Sequence, residues 1–246
     1  MYQFQSRIRY SETGEDGRLT LLGLINYLQD CSIFHSEDSQ AGVEYLKSIG
    51  RAWMLSSWQI RIYRYPVLGE RITTGTWHYG QKGIYGYRNF VMEDEQGIRI
   101  VEADSRWFLL NLEKGLPCRV TQNDLKFYGE PEERLPMEAA GRISLPDEGE
   151  EGMPVVIAPH QIDTNHHVNN AQYVEIAREA AGISQEICCL HVEYKKAAVL
   201  GDVLYPLISR NGKEITIGLY NEHHEVCAVV WMEQMEEERE DKKGKE

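Results

Sequence analysis

Apolar residues recur at helical spacing through Leu21, Leu24, Ile25, Leu28 and Cys31, which predicts a long helix running on toward Phe34. A shorter helix is predicted over 43–49, closed by Gly50. Alternation then replaces the helical period: Trp58, Ile60 and Ile62 interleave with Gln59, Arg61 and Tyr63. Further strands are predicted over 72–79, 84–94 and 98–111, with turns at Gln81-Lys82-Gly83 and Glu95-Gln96-Gly97. The pattern then starts again. Val168, Ala171, Val174, Ile176 and Ala177 mark a second long helix, and strands are predicted over 187–194, 203–209, 215–220 and 226–232. Asn211-Gly212 is a hairpin turn signal between two of them. Trp53, Trp58, Trp77 and Trp107 fall on strands and are expected in the core.

The repetition extends to residue types. Tyr65-Pro66-Val67-Leu68-Gly69-Glu70-Arg71-Ile72 resembles Ala197-Ala198-Val199-Leu200-Gly201-Asp202-Val203-Leu204, and Ile60-Arg61-Ile62-Tyr63 lines up with Val192-Glu193-Tyr194-Lys195. Each half offers a short strand, an acid-bearing turn, a helix and a run of antiparallel strands. The expected class is α+β: a tandem of two antiparallel sheets, each wrapped around a long helix. The boundaries are a first unit over 1–129, an acidic linker over 130–152 broken by Pro131, Pro136 and Pro146, a second unit over 153–235, and a charged tail over 236–246. The linker and the tail are expected to be solvated.

With 42% hydrophobic and 26% charged residues, the 246-residue chain has the composition of a folded domain. Its formal net charge of −13 argues against nucleic acid as a main partner. No apolar run approaches the ~18 residues of a membrane span, and Met1 to Arg7 lacks the apolar core of a signal peptide. The odd number of cysteines, with Cys188 and Cys189 adjacent, fits a reduced cytoplasmic setting. His160, His166 and His167 lack a completing Cys or acid, so no metal is expected. A monomer or a homodimer is compatible with two units per chain.

Asp163-Thr164-Asn165-His166-His167-Val168-Asn169-Asn170 carries the chemistry. Acid, amide and imidazole alternate at Asp163, Asn165 and His167, just ahead of a helix start whose unpaired N–H groups suit a developing oxyanion. The pattern Asp163-x-Asn165-x-His167-Val168-Asn169-Asn170-x-x-Tyr173 resembles the motif of hot-dog-fold thioesterases. It is most similar to the acyl-[acyl-carrier-protein] thioesterases of plant plastids and bacteria. Stretches 60–70, Thr76-Trp77 and Ser105-Arg106-Trp107 with Asn111 resemble that family too. The resemblance implies a double hot-dog fold, hydrolysis of fatty acyl thioesters on acyl carrier protein, no cofactor, and catalytic roles for Asp163, Asn165 and His167. It fails at one place. Where the family often has a Glu, followed by Cys in plant members, this chain has Ala197-Ala198 after Val192-Glu193-Tyr194-Lys195-Lys196.

Without a Gly-x-Ser-x-Gly elbow or a motif cysteine, attack by water is the expected mechanism. An imidazole ordinarily titrates near pH ~6.5, which suits His167 as the base. Asn165 would orient water or the carbonyl. Asp163 would either support its neighbours or attack as a carboxylate. Backbone N–H groups of Val168, Asn169 and Asn170 would face the oxyanion. Counting from the acids, Asp16, Arg18 and Thr20 stand where Asp163, Asn165 and His167 stand, so one site per chain is expected, with the Leu21 to Phe34 helix lining an acyl tunnel. Glu179 is a further candidate support, and His166 and the pair His223-His224 are expected at the surface. Carrier protein is acidic, which requires a local basic rim; Arg61, Arg64, Lys195 and Lys196 are the candidates. An acyl-CoA hydrolase and a non-catalytic acyl-binding protein remain as alternative readings.

Overall fold

A computed structural model describes residues 1–236; apart from Glu236, the expected charged tail lies outside them. In chain order the elements are β1 (Tyr2–Arg7), α1 (Leu21–Asp38), α2 (Val43–Ser48), β2 (Arg51–Ile62), β3 (Arg71–Lys82), β4 (Tyr85–Asp94), β5 (Arg99–Asn111), β6 (Leu116–Cys118), α3 (Gln122–Leu125), β7 (Glu150–Glu151), β8 (Val155–Val156), α4 (Asn170–Ala180), β9 (Ile187–Tyr194), β10 (Val203–Asn211), β11 (Glu214–Tyr220) and β12 (Val226–Gln234). The two expected sheets are joined edge to edge. One antiparallel sheet runs β1-β3-β4-β5-β2-β9-β12-β11-β10-β7, with β6 on β5 and β8 on β10. The seam is the β2–β9 ladder, from Ser57 opposite Glu193 to Arg61 opposite Cys189, and at its centre Gln59 faces His191.

The two central helices, α1 and α4, each begin where a side chain accepts a first-turn N–H. Thr20 accepts from Gly23, and Asn169 accepts from Ala171. The helical stripe is buried as its spacing requires: Leu24, Ile25 and Leu28 of α1 and Ala171, Val174 and Ala177 of α4 lie in a core continuous across the seam with Trp58, Ile60, Leu190 and Val192.

The repeat holds bond by bond. Ile8 and Gly69 exchange backbone bonds with Glu70 and Ile8, as Ile157 and Gly201 do with Asp202 and Ile157. Gly14 N–H donates to Arg18 O as Asp163 N–H does to His167 O; Gly17 N–H donates to Gly14 O as His166 N–H does to Asp163 O. Leu19 donates to Pro66 where Val168 donates to Ala198. Gly17 and His166 share a positive φ, 74° and 62°. This pairing corrects the register read from the acids. Gly14, Asp16 and Arg18 are the counterparts of Asp163, Asn165 and His167; counting from Asp16 slid the first loop by two positions. In the true register, too, the first half has neither the imidazole nor the amide.

The connection 130–152 is acidic, yet it is not simply solvated. It crosses the sheet face away from the helices as a strap. Leu135 and Met137 are buried against Trp77 and Val91 in a small second core, and Ile143 is buried as well. Leu135 N–H donates to Asn89 Oδ1, Trp77 Nε1 to Glu133 O, and Arg134 pairs with Asp104 at 2.8 Å. At the seam Gln59 Nε2 donates to Glu138 O, Ala140 N–H to Gln59 Oε1, and Ile143 N–H to Glu193 Oε1. The strap therefore grips both halves. Leu135→Ala is expected to cost about 2–5 kcal/mol in urea unfolding, the range for a truncated buried leucine; a loss below roughly 0.5 kcal/mol, typical of a surface change, would show the strap to be loosely seated.

Candidate active site

A cavity of about 910 Å³ opens between the halves on the helix side of the sheet. Asp163, Asn165 and His167 all line it, as do Val168, Asn169 and Asn170. The opposite wall comes from the first half: Gln29, Ser32, Ile33 and Ser36 of α1, with Trp53, Met54, Trp107 and Phe108 from the strands. Asn170 Nδ2 donates to Gln29 Oε1 at 3.0 Å, which ties the start of α4 to the middle of α1. Trp53 and Trp107 were expected in the core but are only half-buried and face the cavity. Gly86 makes room for the Trp53 ring, since a Cβ there would stand 3.2 Å from it.

The motif loop is a tight turn closed by the Ile162–Val168 bridge. Asp163 Oδ1 accepts from the backbone N–H of Asn165 at 2.7 Å and of His167 at 3.2 Å. The carboxylate thereby fixes the loop backbone and touches His167 through its main chain only. His167 lines the cavity, and its Nδ1 is buried with no hydrogen-bond partner among the described residues. The Asn165 side chain is exposed at the loop tip.

The expected backbone donors need correcting. Val168 N–H already donates to Ala198 O at 2.9 Å, and Asn169 N–H to Gln161 O at 2.8 Å. Of the three, only the N–H of Asn170, first residue of the helix, has no hydrogen-bond partner among the described residues. Tyr173 lies beneath the loop: its hydroxyl accepts Ala198 N–H at 2.7 Å, and burial pushes the phenol well above its ordinary range. The Tyr194 hydroxyl donates to Asn170 O at 2.9 Å. Ala197 borders the cavity with no carboxylate to offer.

Other candidates sort differently. Glu179 is exposed on the last turn of α4 and does not line the cavity. His160, His166, His223 and His224 are exposed. Among the described residues Cys188, Cys189 and Glu233 place three potential ligand atoms within 4.8 Å, away from the cavity lining; burial pushes the Cys189 thiol up to about 11. The basic rim is largely neutralised. Arg64 is held by Glu70 at 2.6 Å and Asp94 at 3.0 Å, Lys195 pairs with Glu193, and Lys196 with Glu225. Arg64 is thereby a structural residue, while the exposed Lys195 and Lys196 remain beside the cavity.

This geometry meets an independent sequence match. The family's N-terminal domain, described as acyl-ACP thioesterase N-terminal domain, matches residues 1–128, and its C-terminal domain matches residues 154–243. The chain belongs to the acyl-ACP thioesterase family. It is 24% identical over 215 residues to the chloroplastic acyl-[acyl-carrier-protein] hydrolase FATB1 of Cuphea viscosissima, a match covering 80% of this chain and 51% of that protein. It is 25% identical over 231 residues to oleoyl-acyl carrier protein thioesterase 2 of Arabidopsis thaliana, covering 82% of this chain and 61% of that one. The chain thus spans about half the length of the first of these plant relatives. Among solved structures, the acyl-ACP thioesterase of Bacteroides thetaiotaomicron matches with a TM-score of 0.86 at 24% identity, over 95% of this chain and 97% of that one. The 12:0-ACP thioesterase of Umbellularia californica matches with 0.83 at 18%, over 96% and 98%. These likenesses establish the double hot-dog fold for this family member.

Arg88 was not singled out from the sequence, although the signal was there: strand alternation sets it in line with the inward-facing Phe90 and Met92. The loop support is directly testable. Tyr173→Phe leaves Ala198 N–H buried without an acceptor and is expected to lower unfolding free energy by about 1–3 kcal/mol; an unchanged denaturation midpoint would show that Ala198 finds another acceptor.

Proposed function

We propose that this chain hydrolyses fatty acyl thioesters carried on acyl carrier protein, giving free acid and carrier thiol. The observation that carries this reading is the placement of Asp163, Asn165 and His167 at one cavity whose other wall belongs to the first half. Water attacks the thioester carbonyl as His167 Nε2 takes its proton. The oxyanion is met by Asn170 N–H and the Asn165 amide, a donor of this kind being worth ~3 kcal/mol. Collapse breaks the carbon–sulfur bond, and the imidazolium returns the proton to the leaving thiolate. With Oδ1 occupied by two backbone donors, Asp163 serves better as the group that positions Asn165 and His167 than as a nucleophile. The relatives described above are acyl-carrier-protein hydrolases or thioesterases by name, which supports the carrier protein over coenzyme A.

His167→Ala is expected to lower kcat on acyl carrier protein thioesters by about 100-fold or more. Retention of half the turnover would overturn the single-site assignment. A second reading, an acyl-binding protein without catalysis, draws on Ala197 and on the unpartnered His167 Nδ1; binding of acyl thioesters with no His167-dependent release would favour it.

Carrier docking is assigned to Lys195 and Lys196, exposed and adjacent to the cavity. Reversing both to Glu is expected to raise KM for carrier-bound acyl groups by about tenfold, since like charge at contact opposes association, with little change for short soluble thioesters. Equal changes for both substrates would refute that surface.

A further inference from the structure

The cavity is not uniformly apolar. Arg88 on β4 lines it while being only 8% exposed, and it makes no ion pair with any described residue. One guanidinium nitrogen, Nη1, donates to His35 Nδ1 at 3.0 Å and to Thr76 Oγ1 at 3.3 Å; Nε and Nη2 have no described partner. The Tyr128 ring lies 4.9 Å from the guanidinium carbon. His35 cannot share the charge burden as an anion, and burial together with Arg88 pushes its imidazole down to about 4, so it stays neutral. Opposite Arg88 on β3, His78 lines the same cavity. Its Nε2 is bonded to Gly129 O at 2.8 Å, and its buried Nδ1 has no partner. A buried guanidinium without a counter-ion is among the costliest arrangements in a protein interior. An unmatched donor set beside an unmatched acceptor calls for an explanation.

Position supplies one. Gln29 is tied to Asn170 at the motif loop, and Ser36, two turns further along the same face of α1, hydrogen-bonds the Tyr128 hydroxyl at 3.1 Å. Two turns are roughly 10 Å of helix rise. The polar group thus stands along the tunnel at about the reach of a medium-length acyl chain whose thioester sits at His167. We propose that Arg88 forms a subsite for an acyl chain whose far end carries oxygen, with a carboxyl end, as in the half-thioester of a dicarboxylic acid, preferred over a hydroxyl end because an anion cancels the guanidinium charge. A plain methyl end would leave these polar groups desolvated and unpaired, which is how such sites reject analogues.

This inference deepens the thioesterase reading and rests on it for the word substrate, so the test has two arms. In the first, carrier thioesters of one medium length with methyl, hydroxymethyl and carboxyl ends are compared in wild type and Arg88→Met. The carboxyl chain is expected to exceed the methyl chain in kcat/KM by tenfold or more, the hydroxyl chain to fall between, and the ratio to collapse in Arg88→Met. In the second, calorimetry measures binding of the half-amide of a dicarboxylic acid against the plain acyl amide of equal length. Wild type alone decides this arm should Arg88→Met fail to fold. Equal kcat/KM for the three chains in the first arm together with equal binding of the two amides in the second, as for a subsite filled by water, overturns the proposal and leaves hydrolysis untouched. Loss of all His167-dependent turnover overturns the thioesterase reading instead, and tighter binding of the half-amide would then still establish the subsite.

Discussion

The β2–β9 ladder is the interaction on which the rest of the molecule depends. Two strand edges that would otherwise present unpaired backbone groups satisfy each other there, with Gln59 opposite His191 at the centre. Pairing in that register places α1 and α4 on the same side of one sheet, close enough for Asn170 to reach Gln29. The cavity is the space this arrangement leaves between a helix of one half and a loop of the other. The strap reinforces the same place from the opposite face. Glu193 shows how tightly: burial works against its charge, but the Lys195 ammonium and Ile143 N–H outweigh that and hold the carboxyl below its usual range.

Much of this was legible in the sequence because it follows from periodicity. The second-half strand 187–194 is legible to the residue and most others within a few positions, since inward and outward faces alternate cleanly, whereas β2 begins at Arg51, seven positions before the alternation that starts at Trp58. What was misread involved choices that periodicity does not encode. Asp16 and Asp163 look like equivalents because both are acids in turns and both accept from the residue two ahead, yet only Asp163 also accepts from the residue four ahead and so spans the longer loop. The backbone bonds decide the register, and they are invisible in a string of letters. The strap was misjudged for a related reason: a charge-rich composition hides Leu135 and Met137, whose burial depends on an apolar patch supplied by strands far away in sequence. Trp53 and Trp107 were placed in the core by type, whereas a wall between a core and a tunnel uses the same residue types.

The two halves show what divergence does to one loop design. Both keep the positive-φ corner, the bridge that closes the turn, and a cap residue that starts the helix. The first half fills the remaining positions with Gly14, Asp16 and Arg18, and Arg18 turns to Glu186 at 3.4 Å. The second fills them with acid, amide and imidazole. The backbone of the turn is thereby kept while its side chains differ, and the first half supplies the cavity wall that faces the motif loop. Arg88 and His78 lie on that half, on β4 and β3, apart from the motif loop.

The unpartnered Nδ1 of His167 follows from the same economy of parts. A base is usually oriented by a carboxylate on its far nitrogen. Here the Asp163 carboxylate is committed to the loop backbone, and the segment after β9 that borders the cavity carries Ala197, followed by Ala198. Orientation must then come from the loop itself: a turn clamped at Asp163, bridged at Ile162 and Val168, and held from below by the Tyr173 hydroxyl through Ala198. A ring fixed by its main chain depends on the whole turn. Loosening any member would shift the imidazole that lines the cavity.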